Sequence, residues 1–143
     1  MATVMLYANE PILAEELRRI LKNISGLDLV DCCHGLESVR RRFELHQPDI
    51  LLVDHTEDVS YAVLSSLREV VCFSRIVLWA HAISTELASQ SLSLGIRGIL
   101  RRNRPPETVI RCLMRVNEGE LWLDKALTEN MMAAQSHSLP ADW

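Results

Sequence analysis

Short apolar runs alternate with longer amphipathic stretches along this chain, and the alternation repeats five times. The strand-length runs are "TVMLYA" at 3–8, "LDLVDCC" at 27–33, "DILLVD" at 49–54, "RIVLWA" at 75–80 and "RGILR" at 97–101. The inner ones are apolar throughout rather than alternating, the pattern of parallel strands covered on both faces. Between them the period changes. From Pro11, the residues Leu13, Leu17, Ile20, Leu21 and Ile24 recur at steps of three and four, with Glu15, Glu16, Arg18, Arg19 and Lys22 on the other side. Pro11 in the first turn and Gly26 past the end punctuate that helix. Further helices are expected over 36–45, 59–70, 84–94 and 106–118. Short connections and right-handed crossovers turn this order into a doubly wound parallel α/β sheet, with its site at the carboxyl ends of the strands.

That rule gathers a small set of residues into one crevice. Ala8, Asn9 and Glu10 follow the first strand, Asp54 and His55 end the third, Trp79, Ala80 and His81 end the fourth, and Arg101 and Arg102 end the fifth. In "PDILLVDHTEDVS" a buried strand delivers one carboxylate, Asp54, to the sheet edge before the chain turns polar. After the fifth helix comes "GELWLDKALTENMMAAQSHSLPADW". It carries a weaker helical stripe at Leu127, Met131 and Ala134 and then a Ser/Pro/Asp end of linker character. The expected division is a domain over 1–120 and an exit helix or linker over 121–143, with Trp122 packing the exit against the body.

Composition narrows the function classes. With 143 residues and 48% apolar content the chain suits one domain with a proper core. Fifteen Lys+Arg against 19 Asp+Glu make it mildly acidic, which argues against a nucleic-acid coat protein or a polybasic membrane binder. No apolar run nears the roughly 18 residues of a membrane span, and "MATVMLYANE" lacks a signal peptide's basic head, so a cytoplasmic location is expected. Cys32, Cys33, Cys72 and Cys112 form no CxxC pair and read as buried free thiols. Successive strand residues point to opposite faces, so Cys32 and Cys33 in "DCCHG" are not expected to share a zinc. His55 and His81 with Glu10 and Asp54 offer a mixed donor set, but without HxH or HExxH spacing they read as exposed loop histidines. Arg97, Arg101, Arg102, Arg104, Arg111 and Arg115 cluster late, with no aromatic platform among them. That favours a protein-partner surface over a nucleic-acid groove. Arg40, Arg41 and Arg42 read as the wet side of the second helix.

Two blocks, "PDILLVD" and "SLGIRGILRRNRPPETVIRCLMRVNEGELWLD", together with the βα order, resemble the receiver domain of two-component response regulators. The likeness is to the NarL/LuxR-type class, usually joined to a helix-turn-helix, and covers about 3–124. It implies a flavodoxin-like (βα)5 fold with five parallel strands in the order 2-1-3-4-5. It also implies a phosphoacceptor at Asp54, an acidic Mg²⁺-binding pair after the first strand, a Ser or Thr after the fourth and a Lys after the fifth.

Most of those positions are altered. The acidic pair falls on Ala8 and Asn9, leaving Asn9, Glu10 and Asp54 as a weakened metal set. The hydroxyl position falls on Trp79, next to Ala80, and that indole is expected to fill the crevice. The lysine position falls on Arg102, with Arg101 as the alternative register, and the switch aromatic falls on Ile99. From Asp54 to Trp79 is 25 positions, a shortened span lacking the usual Met-Pro and Gly. A carboxylate attacks phosphorus only where cations neutralise the growing charge. Asp54 is therefore read as a relic that caps the next helix or pairs with Arg102.

The resemblance thus implies a degenerate receiver that signals by protein contact, turns over no substrate, and forms the N-terminal part of a transcription regulator. Its expected partners are a histidine kinase or other signalling protein and a second copy of itself, met through Arg97, Arg101, Arg104, Arg111 and Arg115. DNA would be reached only through an output domain, and no membrane is involved. Two alternatives stand beside it: a receiver conventionally phosphorylated on Asp54 with Mg²⁺, and a flavodoxin-like module binding a small molecule or metal. Glycine-rich phosphate loops, which the latter would use, are missing from every strand-to-helix turn.

Overall fold

The computed structural model describes residues 2–124. Strands and helices alternate as β1 (Ala2–Tyr7), α1 (Pro11–Leu21), β2 (Leu27–Cys33), α2 (Leu36–His46), β3 (Ile50–His55), α3 (Tyr61–Val70), β4 (Arg75–Ala80), α4 (Thr85–Ser93), β5 (Gly98–Arg101) and α5 (Pro106–Asn117), followed by a short β6 (Trp122–Leu123). The sheet order is β2-β1-β3-β4-β5-β6, every pair parallel. The expected order is borne out and extended by one strand. After α5, Gly119 adopts φ 95°, and the chain then runs beside β5 with Trp122 N–H donating to Arg97 O at 2.9 Å and Asp124 N–H to Ile99 O at 3.0 Å. The stripe of Leu127, Met131 and Ala134, Trp143, and most of the proposed 121–143 linker lie outside the described residues.

Strand alternation sorts the core into two layers. Val4, Leu6, Leu52, Val77, Trp79 and Leu100 pack with Leu17, Cys112 and Leu113 under α1 and α5. Met5, Leu51, Val53, Ile76, Leu78 and Ile99 face the other way, under α2, α3 and α4, with Val39, Leu64, Leu67 and Ala88. Each such aliphatic side chain removed from water contributes about 1.5–3 kcal/mol, and the central strands supply them on both faces. The "GIRG" step has a steric cause. A Cβ on Gly98 would lie 3.0 Å from Val77 Cγ2 and 3.2 Å from Val116 Cγ2, tighter than core contacts normally are, so a methyl group would fit there only if a neighbour gave way by a few tenths of an ångström.

Several element ends differ from the expected ones for local reasons. Helix α1 stops at Leu21 because Lys22 takes an extended conformation at ψ 132°, after which Asn23 turns the chain at φ 69°; Ile24 falls beyond the helix yet still packs on its core, and Gly26, at φ 107°, turns the chain into β2 instead of stopping α1. Helices α3 and α4 begin one residue after capping serines. Ser60 Oγ accepts from Val63 N–H at 3.3 Å and Ser84 Oγ from Leu87 N–H at 3.0 Å. Cys33 and Cys112 are buried, and burial pushes each thiol up to about 12. Cys32 is half-buried on the opposite core layer from Cys33, as strand geometry requires. Cys72 corrects the expectation of four buried thiols. It is exposed in the turn after α3, where Arg68 Nη2 donates to Val71 O and Ser74 O at 2.6 and 2.7 Å and leaves no core position for it. Among the described residues no helix is long and apolar enough to cross a membrane.

Candidate functional site

Asp54 ends the buried part of β3, opposite Trp79 in the β3–β4 register, and is 5% exposed. The alternation that sends Leu52 toward α1 and α5 sends Asp54 the same way, together with Trp79 from β4 and Ala8 beyond β1. Strand β5 stops at Arg101, whose register partner is Ala80; Arg102 N–H then bonds Ala80 O at 2.9 Å, returning the Arg102 side chain to that face. There Arg102 Nη1 donates to Asp54 Oδ1 at 2.6 Å, and the guanidinium lies 4.5 Å from the Trp79 ring centroid. Both members of the pair are shielded, at 13% and 5% side-chain exposure. Arg102, not Arg101, is thus the cation of the crevice.

Trp79 does not fill the crevice. Its indole is 1% exposed and sinks into the α1/α5 core, beneath the Arg102 plane, with Nε1 lacking a hydrogen-bond partner. A cavity of about 150 Å³ remains beside Asp54, lined by Ala8, Asn9 and Glu10 as expected and also by Tyr7, His34, Thr56, Asp58 and Val59. The Tyr7 and His34 rings meet at 5.1 Å. These latter residues escape a reading confined to the phosphorylation positions, although Thr56 and Asp58 lie in the loop directly after Asp54 and His34 follows the second strand.

Electrostatics follow from burial. Desolvation raises the Asp54 carboxyl above its ordinary value; Arg102 pulls it back, Glu10 raises it again, and the net direction is upward. His55 points away from Asp54, because it is the next strand residue. It lines a separate groove of about 560 Å³ with Ser60, Ile83, Ser84 and Leu87; burial lowers its pKa and Nε2 has no partner. His81 is exposed. Glu10, Asp54, His55 and His81 therefore do not form a joint metal site, and no group of three His, Cys, Asp or Glu able to hold an ion occurs among the described residues.

Comparison with known proteins agrees with the fold. No family model matches the chain. It is 25% identical over 135 residues to the nitrate/nitrite response regulator protein NarL of Escherichia coli (strain K12), spanning 93% of this chain and 62% of that protein. It is 26% identical over 139 residues to the transcriptional regulatory protein LnrK of Bacillus subtilis (strain 168), spanning 92% and 61%. The chain thus covers about three fifths of the length of these relatives. Among solved structures, a LuxR-family two-component response regulator from Aurantimonas sp. SI85-9A1 superposes with a TM-score of 0.83 at 17% identity, over 95% of this chain and 99% of that one. This chain has the fold of a response-regulator receiver domain.

On the β1 side of the crevice Ala8 is buried, Asn9 and Glu10 are exposed, and Asp54 Oδ1 is engaged by Arg102. Octahedral Mg²⁺ prefers hard anionic oxygens at close range, and this donor set does not fit it. Ile99 is fully buried in the α3/α4 layer.

The late arginines divide into two groups. Arg97 Nη2 donates to Gly119 O at 2.9 Å, Arg104 binds both oxygens of Asp124 at 2.6 and 2.7 Å, and Arg115 Nη1 reaches Glu120 Oε2 at 3.3 Å. All three hold the segment that follows α5. Arg101 is half-buried, and exposed Arg111 flanks a groove with Arg115, Leu121 and Trp122.

Proposed function

We propose that this receiver signals through protein contact and does not depend on aspartyl phosphorylation. The observation that carries the reading is the 2.6 Å pair between Arg102 and Asp54, set against buried Ala8 where a metal-binding carboxylate would stand. One carboxylate oxygen, Oδ1, is engaged by a cation that is part of the fold. A phosphoryl donor approaching the other would still need charge compensation that Ala8, Asn9 and Trp79 do not supply. Mg²⁺ binding at Asn9, Glu10 and Asp54 is accordingly weak.

The partners that suit this reading are a histidine kinase or another signalling protein and a second copy of the chain, with Arg101 and Arg111 as contact residues not engaged by the exit segment. As in the LuxR-family relatives, DNA would be reached through an output domain, in a cytoplasmic transcription regulator whose receiver spans 1–120. The receiver itself turns over no substrate.

The test is direct. The protein is incubated with acetyl phosphate and Mg²⁺ and its intact mass is followed. No phosphoryl adduct is expected; a stoichiometric adduct that disappears in Asp54→Ala would establish conventional phosphorylation and overturn the proposal.

A further inference from the structure

We propose that the turn between β5 and α5 is a strap that couples the Asp54 crevice to the docking of the exit segment. It rests on the reading of Arg102 as the built-in partner of Asp54. Two residues of this turn, separated by Asn103 alone, carry charge-assisted bonds in two directions. Arg102 reaches back to Asp54 at 2.6 Å, and Arg104 reaches outward to Asp124, binding Oδ2 through Nε at 2.6 Å and Oδ1 through Nη2 at 2.7 Å.

The outward bond is a built contact. The Asp124 side chain is 3% exposed, so the fork of Arg104 meets a carboxylate that the fold has already taken out of water. Strand β6 has two residues and little pairing of its own, through Trp122 N–H to Arg97 O and Asp124 N–H to Ile99 O. A strand that short depends on such side-chain anchors. Arg97 supplies a second one by donating to Gly119 O at 2.9 Å.

The turn has little slack between its two pegs. Arg102 N–H is tied to Ala80 O at 2.9 Å, Pro105 and Pro106 fix the backbone where α5 begins, and Arg104 N–H closes on Arg101 O at 3.4 Å. An event that draws Arg102 away from Asp54 therefore moves the backbone carrying Arg104 and loosens its grip on Asp124. The exit segment reports the state of the crevice through this one turn.

Amide hydrogen exchange on the whole chain tests both halves, read at Trp122 and Asp124, with Leu52 and Val77 reporting global opening. Arg104→Ala is expected to speed exchange at Trp122 and Asp124 by about tenfold, the change for losing one charge-assisted pair, with Leu52 and Val77 unchanged. Arg102→Ala and Asp54→Ala, which break the inner bond from either side, are expected to speed the same two amides beyond any change at Leu52 and Val77. Arg41→Ala, on the exposed side of α2, is expected to change neither set. No effect of Arg104→Ala overturns the anchor; an effect of Arg104→Ala with none from Arg102→Ala and Asp54→Ala overturns the coupling. A phosphoryl adduct on wild-type Asp54 would refute the proposed signalling mode by a separate measurement and leave these exchange rates readable.

Discussion

Arg102 and Asp54 form an ion pair of 2.6 Å inside the crevice, and the guanidinium that makes it also lies over the Trp79 ring at 4.5 Å. One side chain thus neutralises the Asp54 carboxylate and covers the Trp79 indole. Removing it leaves a shielded carboxylate with no cation beside it. Arg102→Ala is expected to lower the unfolding free energy by about 3 kcal/mol at pH 7, measured by urea denaturation. Adding Asp54→Asn should recover part of that loss, because it removes the stranded charge. A single Arg102→Ala variant as stable as wild type would show the pair to be energetically idle.

Titration of Asp54 sets a pH dependence with a definite sign. Its carboxyl is raised in the folded state, so the folded protein holds this proton more tightly than the unfolded chain does. The resulting stabilisation is complete below the unfolded value of about 4 and is lost as pH rises through the folded value. Asn mimics the protonated form throughout. The difference in Tm between Asp54→Asn and wild type is therefore expected to move in favour of the variant from about pH 3.5 to pH 6.5. A difference moving the other way would mean that Arg102 outweighs burial.

Asp31 should behave in the opposite sense. Burial opposes its charge, but hydrogen bonds from Arg42 and the Cys32 N–H, the Arg42 charge and His46 outweigh it, and the carboxyl sits below its ordinary value. Its stabilisation is present above the unfolded value and disappears as pH falls through the folded one. Asp31→Asn is expected to lower Tm at pH 7 and to match wild type near pH 2, so calorimetry of the two variants should give ΔTm profiles of opposite slope.

The five main strands were legible because β1, β3 and β4 are buried on both faces and read as unbroken apolar runs. Helix ends were less so: Lys22 stops α1 by turning extended, and Ser60 and Ser84 start α3 and α4 by capping, choices made within one turn. Strand β6 is too short for any periodicity to show. Asp54 and its pairing with Arg102 could be anticipated, since strand alternation and the carboxyl-end rule put both at one edge. Trp79 was assigned to the correct face but not the correct depth, because alternation specifies a side of the sheet and not how far a long indole sinks into the layer beneath. The bond from Arg104 to Asp124 joins residues 20 apart across a parallel return. Only the path of the chain after α5 brings them together.

Gly98 offers a test of how that path is held. Its Cα hydrogens face Val77 and Val116, and an added methyl group would sit 3.0 Å from Val77 Cγ2, 3.1 Å from Val77 Cγ1 and 3.2 Å from Val116 Cγ2. Both valines are fully buried and β-branched, so neither can rotate aside without meeting other core atoms. Gly98→Ala must therefore push α5 away from β5, at a cost of about 1–3 kcal/mol. Because Gly98 pairs with Trp122 in the β5–β6 register, the displacement should also reach the exit strand. Urea denaturation is expected to show the loss of stability, and Trp122 should become more accessible to acrylamide quenching in a Trp79→Phe, Trp143→Phe background that leaves it as the sole indole of the 143-residue chain. If Val77→Ala, which opens space beside the new methyl, restores no part of the loss in the double variant, the clash is not the cause and the close approach of α5 to β5 must be held by something other than the missing side chain.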